Sequence, residues 1–118
     1  MKQLVLIRHG QSLWNAENKF TGWVDSSLSQ RGIKEAIKAG KLIKEFDLDI
    51  QIAFTSFLSR AIDTLNILLK EINKSNLIVN KTWNLNERHY GSLTGLNKEE
   101  TKKEIGESLF LKYRRSWE

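Results

Sequence analysis

Apolar residues recur along the chain in different rhythms, and each rhythm predicts an element. "LVLI" at 4–7 is a continuous apolar run that ends in charge. Such a run predicts a strand over residues 2–7, buried on both faces as in a parallel sheet. Residues 10–27 carry Gly, Asn, Ser and Thr without a period and read as a long loop, which Trp14, Phe20 and Trp23 would pack down. Ile33, Ala36, Ile37, Gly40, Ile43 and Phe46 then share one helical face. Ser29 is placed as its N-cap, with Leu28 and Ile33 as a hydrophobic staple.

A second strand is expected over residues 49–56, before the clearest helix of the chain. There Leu58, Ala61, Ile62, Leu65, Leu68, Leu69 and Ile72 form one stripe. Residues 76–80 read as a third strand. A weaker helix starts at Asn97, with Glu100 at capping-box spacing, and Gly106 ends it. A last helical segment is expected over 107–117. Strand, helix, strand, helix, strand is an α/β pattern: a mostly parallel sheet covered by helices on both faces.

Length changes this picture little, since 118 residues suit one domain. Charge narrows it more: a net +5 favours anionic partners, including phosphorylated small molecules. Nucleic acid is disfavoured, because the lysines alternate with Glu and Asp instead of forming a basic face with stacking aromatics. The chain has no cysteine, which excludes disulfides and thiolate chemistry. The first apolar run is too short for a signal-peptide core or a membrane span, so the expectation is a cytoplasmic protein. Two histidines far apart give no ligand pair at usual spacing, so no metal is expected.

The first strand runs directly into "RHG", Arg8 to Gly10. Catalytic groups of open α/β sheets gather at the carboxyl ends of strands. A neutral imidazole there is a nucleophile toward phosphorus if its other nitrogen is held as N–H by a carbonyl. Arg8 could fork onto phosphoryl oxygens. The alternative is a capped strand with a buried, satisfied histidine. Arg60 stands in the first turns of its helix, off the apolar stripe, where a cation is misplaced unless an anion joins it. A bound phosphate would be such an anion; a solvated surface arginine is the other reading. In the loop at 84–98, Glu87 could serve a substrate hydroxyl as general acid and base, or could form a surface salt bridge. Lys98, Arg114 and Arg115 add cations that could equally mark a wet helix face.

Five stretches together resemble a known family: "RHGQSLWN", "FTGWVDSSLSQRG", "FTSFLSRAIDT", "LNERHYGSLTGLNK" and "YRRSW". They are similar to the N-terminal part of 2,3-bisphosphoglycerate-dependent phosphoglycerate mutases of the histidine phosphatase superfamily. The resemblance covers residues 4–117. It implies that His9 becomes phosphorylated and that Glu87 moves the proton. It further implies that Arg8, Asn15 and Arg60 surround that phosphate. Thr21, Gly22, Arg88, Tyr90, Lys98, Arg114 and Arg115 match positions that hold the glycerate, its carboxylate or its other phosphate.

The implied reaction interconverts 3-phosphoglycerate and 2-phosphoglycerate, with 2,3-bisphosphoglycerate as intermediate and priming donor and no metal. A phosphatase of the same superfamily and a non-catalytic remnant stay open. Family members run to about twice this length, and their second half brings another catalytic histidine and a strand between the first two strands found here. These 118 residues are therefore expected to be the N-terminal portion of one catalytic domain, folding poorly and catalysing little alone. The family is often dimeric, which leaves a homodimer open for a full-length form.

Overall fold

The computed structural model describes residues 2–107 and 109–111. In chain order it contains α1 (Leu13–Ala16), α2 (Gln30–Glu45), β1 (Ala53–Thr55), α3 (Ser59–Glu71), β2 (Val79–Lys81) and α4 (Lys98–Ile105). Two 3₁₀ turns, Trp83–Leu85 and Gly91–Leu93, lie between β2 and α4.

The two long helices form where the apolar rhythm places them, and their ends have local causes. Ser29 Oγ accepts from Gly32 N at 3.1 Å and caps α2. Gly32, Ala36, Gly40 and Ile43 are its buried residues. Phe46, expected on that face, is 69% exposed, because α2 stops at Glu45 and Asp47 turns the chain with φ 52°. The N-cap of α3 is Leu58, which has no side-chain acceptor; Asp25 Oδ1 reaches across from the long loop and accepts from Ser59 N at 2.6 Å. Asn97 Oδ1 accepts from Glu99 N and Glu100 N at the start of α4, and Gly106 ends it at φ 82°. Of the expected last helix, Glu107 and 109–111 are helical, and the remainder lies outside the described residues.

β1 and β2 are parallel, with Ala53, Phe54 and Thr55 opposite Val79, Asn80 and Lys81. The fold class is thus α/β with parallel strands and helices. Both strands are three residues long, shorter than expected. Ala53 and Thr55 are buried while Phe54 is 59% exposed, so one side of β1 is uncovered among the described residues. Residues 2–7 correct the sequence reading. They form no strand and are exposed, with Leu4 at 83% and Leu6 at 84%. A strand exists by pairing, and no described segment offers 2–7 a ladder.

Ile43, Leu68 and Leu69 centre the main core, with Ala39, Leu48, Ile50, Leu65, Ile72, Leu77 and Val79 packed around them. α2 and α3 approach closely at Gly40, where a Cβ would come 2.6 Å from the Cβ of Glu71. A second centre forms on fully buried Phe20, whose ring lies 4.9 Å from Tyr90 and 5.8 Å from Phe110. The loop that read as aperiodic hides α1. Ser12 and Asn15 form a reciprocal capping box around it, a signal carried by the S-x-x-N spacing. The Cα radius of gyration is 16.1 Å, against roughly 13.5 Å for a compact domain of this length.

Candidate active site

His9 follows the unpaired segment, and its ring is set by the residue after it. Nδ1 lies 2.7 Å from the carbonyl oxygen of Gly10. A carbonyl only accepts, so Nδ1 carries the hydrogen and Nε2 keeps its lone pair. Burial pushes the imidazole pKa below its ordinary value of 6.5. The Gly10 bond opposes this, the Arg60 and Arg8 cations reinforce it, and the Glu87 carboxylate opposes it. The neutral ring is the nucleophilic form. His89 has the opposite tautomer: its Nδ1 accepts from Gly91 N at 2.8 Å, on an exposed loop where it meets Trp23 edge-on.

The segment after His9 is gripped tightly. Gln11 O accepts from Ser29 N at 2.8 Å and from Ser29 Oγ at 3.1 Å, and Gln11 N donates to Glu35 Oε1 at 3.0 Å. Gly10 and Gly32 allow this approach, since a Cβ on either would collide with the backbone of the other segment.

Arg60 is 0% exposed, which excludes the solvated reading and corrects its placement off the buried face. It precedes Thr64 and Leu68 at four-residue steps along the interior of α3. Its Nη1 donates to Val24 O at 2.7 Å; its Nη2 donates to Gly22 O at 2.5 Å and to Glu87 Oε2 at 2.7 Å. The anion that offsets this cation near the helix start is therefore the Glu87 carboxylate, with Asp25 on the neighbouring Ser59 amide. The Nε–H of Arg60 is buried without a hydrogen-bond partner among the described residues.

Two clefts share Arg8 and His9. One, of about 260 Å³, is lined by Arg8, His9, Ser56, Leu58, Arg60, Ala61, Leu85 and Glu87. The other, of about 270 Å³, is lined by Arg8, His9, Gln11, Asn15, Arg31, Glu35 and Lys98. Asn15 Oδ1 accepts from Ser12 N at 3.1 Å, which leaves Nδ2 as the donor end of this cleft-lining amide. The fold thus brings Arg8, His9, Asn15, Arg60, Glu87 and Lys98 together. Thr21, Gly22, Arg88 and Tyr90 line neither cleft. Thr21 is buried, Gly22 lends its carbonyl to Arg60, and the Arg88 guanidinium lies 5.2 Å over the Tyr90 ring. Arg114 and Arg115 lie outside the described residues. Sequence reasoning passed over Arg31 and Glu35, which a helix start facing "RHG" could have suggested. Among the described residues no group of three His, Asp or Glu side chains could hold a metal ion, and no helix is long and apolar enough to cross a membrane.

The α/β fold presents an imidazole clamped by a backbone carbonyl where two clefts meet, each lined by cations and one carboxylate. The chain belongs to the histidine phosphatase superfamily (branch 1), which it matches over residues 4–118. It is 58% identical, over all of its length and 48% of theirs, to the 2,3-bisphosphoglycerate-dependent phosphoglycerate mutase of Borreliella afzelii (strain PKo). The enzyme of that name from Staphylococcus aureus (strain MRSA252) is 52% identical over all of this chain and 52% of its own. Among solved structures, a phosphoglycerate mutase from Bacillus anthracis str. Sterne superposes with TM-score 0.77 at 29% identity, covering 86% of this chain and 44% of that one. A mycobacterial glucosyl-3-phosphoglycerate phosphatase gives TM-score 0.73 at 26% identity, covering 86% and 46%. The chain spans about half the length of the curated relatives it matches.

Proposed function

We propose that this chain is the N-terminal portion of a single phosphoglycerate mutase-like catalytic domain that interconverts 3-phosphoglycerate and 2-phosphoglycerate. The observation that carries the chemistry is the His9 Nδ1–Gly10 carbonyl bond, which leaves Nε2 as a lone pair beside Arg8, Arg60 and Glu87. The names of the relatives favour the mutase over a plain phosphatase.

His9 Nε2 attacks phosphorus, and an N–P bond forms as the P–O bond to the sugar-acid oxygen breaks. Glu87 relays the proton: its carboxylate takes the proton of the hydroxyl that attacks the phosphorylated ring, and the acid so formed returns it to the oxygen that leaves when the ring is phosphorylated again. Arg8, Asn15 and the unpartnered Nε–H of Arg60 hold phosphoryl oxygens, while Lys98 meets the negative far end of the substrate. Thr21, Gly22, Arg88, Tyr90, Arg114 and Arg115 complete the substrate pocket, a role that rests on their motifs. 2,3-Bisphosphoglycerate supplies the phosphoryl group that primes His9, and the orphaned guanidinium donor fits such an anion. The partners are small phosphoglycerates, and the setting is cytoplasmic.

The deciding experiment uses the native protein, at the length its reading frame encodes, with phosphorus-labelled 2,3-bisphosphoglycerate. Acid-labile label is expected on the wild type and none on His9→Ala. Label retained by the variant refutes the nucleophile. Discharge of the label to phosphoglycerate supports a mutase, and discharge to water alone supports a phosphatase.

A further inference from the structure

We propose that Thr64 is a positioning residue: its hydroxyl ties the residue that orients the His9 ring to the helix that carries Arg60. The inference rests on His9 being the reacting group.

Thr64 is 4% exposed on the inner side of α3, one turn after buried Arg60 and one turn before buried Leu68. Its Oγ1 donates to the Arg60 carbonyl, one turn earlier, at 2.7 Å. That return bond is ordinary for a helical threonine, and it fixes where the hydroxyl hydrogen points. The oxygen's lone pair is left facing outward, and Gly10 N–H donates into it at 3.0 Å from a residue 54 positions away. Gly10 is buried, so its amide needs an acceptor, and a helix interior offers none except a side chain.

Gly10 is also the residue whose carbonyl holds His9 Nδ1. The bonds therefore run from the ring through residue 10 to Thr64 and on to the Arg60 backbone. Ser29 and Glu35 hold Gln11 from the other side, through α2. Without the threonine oxygen, the Gly10 amide loses its acceptor and only Gln11 stays bonded, from α2, so the Gly10 carbonyl is free to turn from the imidazole. The ring then has no reason to keep one tautomer. Distance alone would not reveal this role, since Thr64 touches neither cleft.

Thr64→Val keeps the shape and removes the hydroxyl; Thr64→Ser keeps the hydroxyl. Nitrogen NMR of the His9 ring in the native protein should show one Nδ1–H tautomer in wild type and in Thr64→Ser, and a mixture in Thr64→Val. Phosphorylation of His9 should fall about ten- to a hundredfold in Thr64→Val and stay within about threefold in Thr64→Ser. A single tautomer and an unchanged rate in Thr64→Val overturn the proposal. So does a folded Thr64→Ser with mixed tautomers. If Thr64→Val does not fold, hydrogen exchange of the wild-type Gly10 amide decides: strong protection is expected, and open-chain exchange overturns it. Failure of wild type to take label would remove the nucleophile reading alone, because tautomer and exchange are read without substrate.

Discussion

Replacing Arg60 by leucine removes a guanidinium that fastens three segments of chain. Its donors reach Val24 O, Gly22 O and Glu87 Oε2 at 2.5–2.7 Å, from a side chain 1% exposed. Hydrogen bonds to a charged group contribute about 1.5–3 kcal/mol each, but simple addition overstates their joint loss. Glu87 is 35% exposed, so water recovers part of its carboxylate once the partner is gone. The expected loss is about 3–5 kcal/mol, the range for removing one side of a buried ion pair. That is a large share of the roughly 5–15 kcal/mol of a typical domain. Urea unfolding of the native-length protein, followed by tryptophan fluorescence, measures it directly. Arg60→Lys should lie between, since one ammonium cannot serve three acceptors in a planar fork. A leucine variant within about 1 kcal/mol of wild type would refute the account of a cation held by these acceptors.

Glu87→Gln should lower kcat far more than it raises KM, because an amide keeps an acceptor for Arg60 but cannot move a proton. Equal changes in both constants would make Glu87 structural. His9 has its pKa lowered below 6.5 in the folded protein. Between 6.5 and that lower value the unfolded chain binds more protons than the native one. Stability is then complete above 6.5 and falls as pH drops through this window, and His9→Phe should flatten that slope in unfolding measured against pH. The acid limb of His9 phosphorylation should likewise lie below 6.5; a limb at or above 6.5 speaks against a desolvated ring. The 118-residue chain by itself should bind a hydrophobic dye and show weak amide protection, given exposed Leu4, Leu6, Phe54 and Ile78. A cooperative unfolding transition with protected core amides would count against that.

How legible each part was in the sequence follows from how local its causes are. α2 and α3 could be read because their apolar spacing is intrinsic to a helix, and Ser29 and Asn97 cap within their own turns. Residues 2–7 could not, because a strand is decided by a partner elsewhere in space. Whether Arg60 was solvated or held an anion stayed open in the sequence because its acceptors, Gly22, Val24 and Glu87, stand 27–38 positions away. The Nδ1–carbonyl bond on His9 was foreseeable as a requirement of its chemistry, whereas Gly10 as the provider emerged only with the turn that follows. Asp25 capping α3 had no local signal at all.

Gly40 has a reach that its position hides. Eight residues separate it from Gly32, about 12 Å along a stiff rod, and the missing side chain lets α2 lie directly on α3 at Glu71. The two helices behave like the arms of tongs closed on residues 10 and 11, with Gly40 near the pivot. Any side chain there spreads the arms, and the far end would feel it as a reactive ring out of aim. A substitution about 12 Å along α2 from Gly32 would in this way shift His9 while leaving every cleft residue unchanged.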